Sequence, residues 1–517
     1  MNKICVYDIE SIKTLFKQNK KVFAYGNGSF YNKVKDLLYE FNLYFDDVLY
    51  TENKNIKIQS GRDIDLTDDI FIFICSTYYD EIYKTLLEHN IKRKNIIQIV
   101  LECSDSEYSN SYKKEIVHMM RIKHHESLQK LKKKERIKVI FIVYLVGMWK
   151  CENIFQKMLQ DTKFEPIVFI APYLSDGRER MLEELHRTKE FFSKKDFSYI
   201  IGFNIEKGFY IDMDSISPDI IFFTTPWNYS KGIYYQNLYT KYLTCYIPYA
   251  IFTPVLKDYY QFNQIFHNYI WKIFCNNSFE KRIYNEFSAR KDCGVYDVGA
   301  SYLEDLIEKI NVKNVWKTND SRKKVIFAPH HTIDTNKQGW ALSNFLFIAD
   351  DIKKLAIKYK NEIVWAFKPH PHLKNKLYNH INWGKDKTDD YYNFWDKNNY
   401  TQLEMGVYNN LFKQSDAMIH DSASFLAEYL ILKKPVMYLV SEFTKESLNN
   451  FGLKCLNACT SGKNKEEIKT FLISLKNNTL KIKYEHEKFY IEDLRPYYTK
   501  NLPSERIIQI LKNSILS

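Results

Sequence analysis

Apolar residues in this chain gather in short unbroken runs, and the stretches between them carry apolar positions at three- and four-residue spacing. Runs of the first kind predict buried strands, and stretches of the second kind predict amphipathic helices. Near the N-terminus the pattern predicts strands at Lys21–Tyr25 and Ile70–Cys75, one ending near Tyr50-Thr51-Glu52, and one at Asn95–Val100. Helices are expected after Gly26-Asn27-Gly28 through Leu38 and Tyr39, and from Tyr79 to His89. Strands alternating with helices in this way imply βαβ units and a parallel sheet.

The alternation resumes twice more. Ile137–Val146 reads as a strand, followed by Gly147-Met148-Trp149 and a helix through Leu159. Further strands are predicted at Ile167–Ala171, Pro218–Phe223 and Thr244–Tyr249. From about Lys323 a third series begins, with strands at Val325–Ala328, Ile363–Phe367, Ala417–Ile419 and Pro435–Val440. Its helices are Phe345–Tyr359 and Ser424–Leu432, and a last helix spans Ser504–Leu516. The expected organisation is an N-terminal Rossmann-like domain (1–103), a helical linker (104–135), a first lobe (136–317), a second lobe (318–485) and a closing helix (486–517). The fold class is therefore α/β: two doubly wound Rossmann-like lobes, the GT-B arrangement, preceded by a small Rossmann-like α/β domain. Ligands of doubly wound sheets lie at the carboxyl ends of the strands, so the site belongs in the crevice between the lobes.

Composition adds little except through charge. The chain has 45% hydrophobic and 27% charged residues, ordinary for a globular protein. Of the net charge of +12, a surplus of seven lies between Ser111 and Lys138, where ten Lys and Arg face three Glu. A stripe of this kind is either a solvated linker helix or a surface for an anionic membrane or polymer. The nine Cys include no C-x-x-C pair, so no zinc template or secreted disulfide framework is present. Residues 1–21 lack the apolar core of a signal peptide, and the run Val139–Trp149 is too short to span a bilayer. The expected location is the cytoplasm, either free or resting on the inner face of the cell membrane.

Four strings carry chemistry. Gly26-x-Gly28 follows a strand as a dinucleotide fingerprint does, but Tyr31 stands where the third glycine belongs. It is a candidate nucleotide site or simply a tight turn. His330-His331 follows the strand Val325–Ala328 and offers a general base and a phosphate donor, or caps the turn. In Lys368-Pro369-His370-Pro371-His372, prolines on both sides of His370 fix the backbone, and an imidazole beside Lys368 suits a diphosphate. Finally, Asp421-Ser422-Ala423-Ser424 runs from a strand into a helix, where free N–H groups and hydroxyls favour an anion, although serines there also serve as caps.

These strings bring a family into view. KPHP, then SDAMIHDSASFLAEYLILKKPVMYL, then the terminal LPSERI resembles the CDP-glycerol:poly(glycerophosphate) glycerophosphotransferase family over residues 136–517. The resemblance assigns donor binding to Lys368, His370, Asp421, Ser422, Ser424 and Glu428, with Lys433-Lys434-Pro435 opening the next strand. Ala423 replaces the family's first serine, and Glu428 its usual Asp. Where the family has a Trp-His-Gly-Thr-Pro string, Cys245–Ala250 contains no histidine.

The resemblance implies a CDP-activated donor and a surface-polymer or lipid-linked acceptor entering near Trp149, Thr225 and Tyr249. His331, or else His330, would take the hydroxyl proton, with His370 at the diphosphate. No DxD string suggests a metal, so metal-independent chemistry is expected, without a cofactor and without nucleic acid as a partner. The alternatives are a glycosyltransferase using a nucleotide sugar for capsule or lipooligosaccharide, and a non-catalytic assembly protein on the same scaffold.

Overall fold

The computed structural model describes residues 2–516 except 6–8, 19, 27, 41, 53–54, 62–68, 77, 101–109, 256–261, 308–312, 319 and 334–341. Asn27 of the Gly26-x-Gly28 turn and residues 104–109 of the basic stretch lie outside the described residues. The chain divides into two compact units. The first comprises Met1–Ile122, Phe262–Tyr269 and Ser288–Arg290, and the second Lys123–Gln261, Ile270–Phe287 and Lys291–Ser517.

The first unit holds strands β1 (Asn2–Cys5), β2 (Lys21–Tyr25), β3 (Asp47–Glu52), β4 (Asn55–Ile58), β5 (Ile70–Ile74) and β6 (Ile96–Val100) in the order β1-β6-β5-β2-β3-β4. All neighbours are parallel except the hairpin β3–β4. Ile72 pairs with both Phe23 and Ile96, and the central strands are buried, as continuous apolar runs demand. Gly26 follows β2 with φ +107°, and an added Cβ would stand 3.1 Å from the Cys75 carbonyl oxygen, so glycine is required there for close approach of two strand ends.

The second unit contains both lobes. The first is a seven-stranded parallel sheet: β7 (Ile137–Val143), β8 (Phe164–Ile170), β9 (Tyr199–Ile201), β12 (Ile220–Phe223), β13 (Leu243–Tyr246), β14 (Lys272–Cys275) and β15 (Val295–Asp297). A short hairpin, β10 (Phe203–Asn204) with β11 (Phe209–Tyr210), stands apart. The order β15-β14-β13-β12-β7-β8-β9 places the first strand between β8 and β12, so the chain reverses its winding at the end of β7. β8 begins before Pro166, against the sequence expectation of a strand starting at Ile167. Proline lacks an N–H but fits here because the β9 ladder begins only at Val168, beyond Pro166.

The second lobe repeats the design with β16 (Lys323–Ala328), β17 (Ile363–Phe367), β18 (Thr401–Leu403), β19 (Ala417–His420), β20 (Val436–Leu439) and β21 (Thr460–Gly462), ordered β18-β17-β16-β19-β20-β21. The switch point lies between the ends of β16 and β19. The last helix, Pro503–Leu516, returns to the first lobe, where Ile507, Leu511 and Ile515 join the core formed by Val139, Phe141 and Phe155. Two doubly wound sheets in one unit with this closing helix are the GT-B arrangement.

The basic stretch is helical from Asn110 to Lys132. Several of its cations are committed to the protein itself. Lys113 is buried, Lys123 donates to the Thr240 carbonyl at 3.2 Å, Lys134 pairs with Asp219 at 2.5 Å, and Lys138 donates to the Ile216 carbonyl at 2.9 Å. Lys114, Arg121, Lys130 and Lys133 are exposed. Among the described residues no helix is long and apolar enough to cross a membrane.

Candidate active site at the second switch point

Three strand ends meet in the second lobe. β16 delivers Pro329-His330-His331, β17 delivers Lys368-Pro369-His370, and β19 delivers Asp421 and Ser422. Parallel register puts Phe327 opposite both Phe367 and Ile419, so the three loops leave the sheet at one level. Backbone bonds then lock them together: Lys368 N donates to the Phe327 carbonyl at 2.8 Å, and His370 N to the Pro329 carbonyl at 3.1 Å.

Asp421 is the brace. Its Oδ1 accepts from His330 N at 2.5 Å and its Oδ2 from Asn344 N at 2.7 Å, and the carboxyl is fully buried. Burial pushes its proton affinity up to about 7, while the two backbone donors pull it back. Both oxygens are engaged within the protein, so Asp421 acts on a ligand through the loop it holds.

Four imidazoles cluster above this brace. Ring centres are 4.1 Å apart for His331–His370, 4.4 Å for His330–His331, 5.2 Å for His330–His370 and 5.3 Å for His370–His372. Burial holds His330 and His370 well below the ordinary range and His331 at about 3, with neighbouring rings and Lys376 adding to the effect. These rings are therefore neutral near pH 7.

Which nitrogen carries the hydrogen follows from their partners. His370 Nδ1 accepts the N–H of His372 at 3.1 Å, so the hydrogen of the neutral ring sits on Nε2. His330 Nδ1 accepts from Thr332 N at 3.4 Å and lies 2.9 Å from Thr332 Oγ1, which again leaves Nε2 as the donor. One ring nitrogen each of His330, His331 and His370 lies within 4.8 Å of the others, a spacing a metal ion could use. A ligand nitrogen must offer a lone pair, however, and the Nε2 atoms of His330 and His370 present N–H groups. The arrangement suits an anion.

Lys368 is buried beside this cluster; its Nζ donates to the Gly406 carbonyl at 2.9 Å. Burial lowers its proton affinity to about 8 against the upward pull of Glu404. His372 continues the cluster into an open groove of about 550 Å³ along the helix Leu373–Tyr378, lined also by Lys376 and His380.

The expected helix Ser424–Leu432 takes a different form. A single α turn, Phe425–Glu428, passes into a 3₁₀ turn, Tyr429–Leu432, and no side chain caps it at Ser424. Lys433 ends it in the left-handed region at φ 53°. The Ala423 carbonyl accepts from Thr253 Oγ1 of the first lobe at 2.8 Å, which ties the β19 loop across the crevice. Glu428 is buried and accepts from Tyr302 Oη at 3.2 Å and Tyr408 Oη at 2.6 Å.

On the first-lobe side Trp149 is a core residue, packed edge-on against Phe141, Phe155 and Phe192, which corrects its expected place beside the acceptor. The next residue, Lys150, reaches the second lobe and donates to Tyr408 Oη at 2.6 Å. Thr225 is buried and accepts from Trp227 N at 3.3 Å; Tyr249 follows β13 and donates its N–H to Thr224. The sequence reading missed Lys150, Tyr302 and Tyr408. The strand-end rule applied to the second lobe also marks Lys150, which closes the loop after β7. Gly26 and Gly28 sit in the first unit after β2, with open space around Gly28.

The fold is the GT-B arrangement, with these strand-end groups gathered at the switch point of its second lobe. Residues 299–510 match the family model of CDP-Glycerol:Poly(glycerophosphate) glycerophosphotransferase. The match contains every second-lobe residue named above and begins later than the resemblance over 136–517. Among solved structures, the wall teichoic acid polymerase TagF is similar at 13% identity, over 78% of this chain and 98% of that one, with a TM-score of 0.44. The UDP-GlcNAc 2-epimerase from Neisseria meningitidis bound to UDP-GlcNAc is similar at 14%, over 73% and 100%, with 0.45. The S. aureus MnaA–UDP structure is similar at 14%, over 74% and 98%, with 0.43. No curated protein matches the chain.

Proposed function

We propose that this protein transfers a glycerol-phosphate unit from CDP-glycerol to a hydroxyl of a teichoic-acid-like polymer and releases CMP. The family match over residues 299–510 supports a CDP-glycerol-dependent glycerophosphotransferase. The observation that carries the reading is the pair of Nε2–H groups, on His330 and His370, beside the buried Lys368 ammonium. A diphosphate needs directed donors and positive charge, and neutral imidazoles supply the first without repelling the second.

In the transfer, the donor's diphosphate lies against His330, His370 and Lys368. An acceptor hydroxyl approaches from the first lobe and attacks the β-phosphorus, and the bond to the CMP oxygen breaks. His331, whose Nδ1 is buried with no hydrogen-bond partner among the described residues, takes the hydroxyl proton as phosphate charge gathers beside it. The chemistry needs no metal. Lys114 and Arg121, both exposed and seven residues apart on one face of the basic helix, hold the protein to an anionic lipid surface bearing the acceptor. Anionic liposomes should lose the protein when those two are changed to Glu; undiminished binding refutes the lipid contact.

The test of function is thermal stabilisation by CDP, CMP, UDP, GDP, CDP-glycerol and CDP-ribitol, on the parent and on His370→Ala. A shift selective for cytidine nucleotides and lost in the variant supports the reading. Preference for UDP or GDP replaces it with a nucleotide-sugar glycosyltransferase, and no shift with any donor removes catalysis from this site.

A further inference from the structure

Lys150 closes the loop after β7, the strand at the first lobe's switch point. Ser301 Oγ donates to its carbonyl at 3.4 Å. Its ammonium stands 2.6 Å from Tyr408 Oη, and 4.6 Å and 4.8 Å from the centres of the Tyr302 and Tyr408 rings. Lys368, from the other lobe, lies 5.4 Å from the centre of the same Tyr408 ring. Two ammonium groups, one from each lobe, thus share one aromatic ring. The nearby carboxylate, Glu428, is already held by the hydroxyls of Tyr302 and Tyr408.

An ammonium has three N–H groups. Among the described residues, Lys150 uses one on Tyr408 and Lys368 one on the Gly406 carbonyl. What remains is a pair of fixed cations, each with N–H groups to spare, one of which, Lys368, lies two residues along the chain from His370. Such a pair is built to receive an anion with several oxygens. Burial also lowers the proton affinity of both groups, against the pull of Glu428 on Lys150 and of Glu404 on Lys368.

We propose that Lys150 completes the phosphoryl site from the first lobe, gripping with Lys368 the non-bridging oxygens of the phosphorus under attack. The inference rests on the functional reading above and adds a catalytic residue that the family match does not reach, since residue 150 lies outside 299–510. As the hydroxyl oxygen bonds to the β-phosphorus, the bond from that phosphorus to the CMP oxygen breaks and its electron pair leaves with CMP. The hydroxyl proton goes to His331. Charge in transit spreads over the non-bridging oxygens, where two ammonium groups already stand. Tyr408 and Glu428 are positioning residues: the phenol fixes Lys150 Nζ, and the carboxylate fixes the phenol.

The experiment uses the full chain as parent, Lys150→Ala, Lys150→Met and Lys150→Arg, each first checked for an unchanged melting temperature. Turnover of CDP-glycerol is measured with binding of CMP and of inorganic pyrophosphate. Lys150→Ala and Lys150→Met should lower kcat about 100-fold and weaken pyrophosphate about tenfold, with CMP affinity within about threefold, and Lys150→Arg should recover part of the turnover. Parent-like kcat and pyrophosphate affinity in folded variants overturn the inference. So does a lost kcat with intact pyrophosphate affinity, which makes Lys150 a strut. If the parent neither binds CMP nor consumes CDP-glycerol, the functional reading falls. Pyrophosphate alone then judges Lys150: weakened binding in Lys150→Met sustains the site, and unchanged binding overturns it.

Discussion

His330 and Asp421 are joined across the switch point of the second lobe, the backbone N–H of the one donating to Oδ1 of the other at 2.5 Å. The bond links the ends of β16 and β19, the two strands between which a doubly wound sheet opens its ligand crevice. The carboxylate's second oxygen holds Asn344 N at 2.7 Å, so removing it orphans two backbone donors. Asp421→Ala is expected to destabilise the protein by about 1–3 kcal/mol per orphaned donor, and to weaken cytidine diphosphate about tenfold as the His330 loop relaxes. Asp421→Asn, which keeps one acceptor oxygen, should show the smaller loss of both. Denaturant unfolding and nucleotide titration on the same samples check the pair of effects.

Lys368 should set a pH limit on the donor binding proposed above. Burial brings its proton affinity down to about 8, and the charged form is the one a diphosphate needs. Below that pH the charge is present in the free protein, and above it the ammonium must be reprotonated for binding. CDP-glycerol affinity should therefore hold steady from about pH 6 to 7.5 and fall by up to about tenfold per unit above about 8. The imidazoles of His330, His331 and His370, held low by burial, are neutral across this range. Lys368→Arg should remove the alkaline loss, because a guanidinium keeps its proton. Calorimetric titration across pH reads the limb directly.

Much of this was legible in the chain because parallel strands buried on both faces are written as unbroken apolar runs. Ile363–Phe367 is bounded as the pattern predicts, and Ile70–Ile74 differs by one residue. The edge strands were not legible. β1, β18 and β21 are short and carry polar residues such as Asn2, Lys3, Gln402 and Ser461, because among the described residues one side of each meets no neighbouring strand. Within the site, Lys368-Pro369-His370 announces itself by its prolines. Lys150, Tyr302 and Tyr408 come together only through tertiary packing across the crevice, and local spacing cannot encode that convergence. The tautomers of His330 and His370 likewise depend on which backbone N–H faces each Nδ1.

Ser504, in the string Ser504-Glu505-Arg506, anchors the closing helix to Glu304. Its N–H donates to Glu304 Oε1 at 2.6 Å and its hydroxyl to Oε2 at 2.7 Å, all of it buried. Ser504→Ala keeps the first bond and loses the second, for an expected cost of about 1–2 kcal/mol. Nucleotide affinity should stay at the parent value. Chemical unfolding and CMP titration separate the two, and a loss of CMP affinity would place this string in the donor site after all.

Gly299 begins the family-matching stretch, and its backbone allows no side chain. It sits at φ +92°, and an added Cβ would lie 2.8 Å from both Cβ and Cγ of Tyr497. Tyr497 cannot swing aside, because its hydroxyl donates to Asp297 Oδ2 at 2.9 Å and accepts from Ser278 N at 2.9 Å. Gly299→Ala therefore meets two separate penalties. The left-handed backbone costs about 1 kcal/mol for a residue with a Cβ, and overpacking adds about 1–3 kcal/mol. A total of about 2–4 kcal/mol is expected in denaturant unfolding. Gly299→Ala made in a Tyr497→Ala background should cost only the backbone part, since the ring it strikes is gone. A double-mutant cycle gives the coupling as the difference, and additive losses would mean that the strain at Gly299 is carried by the backbone alone.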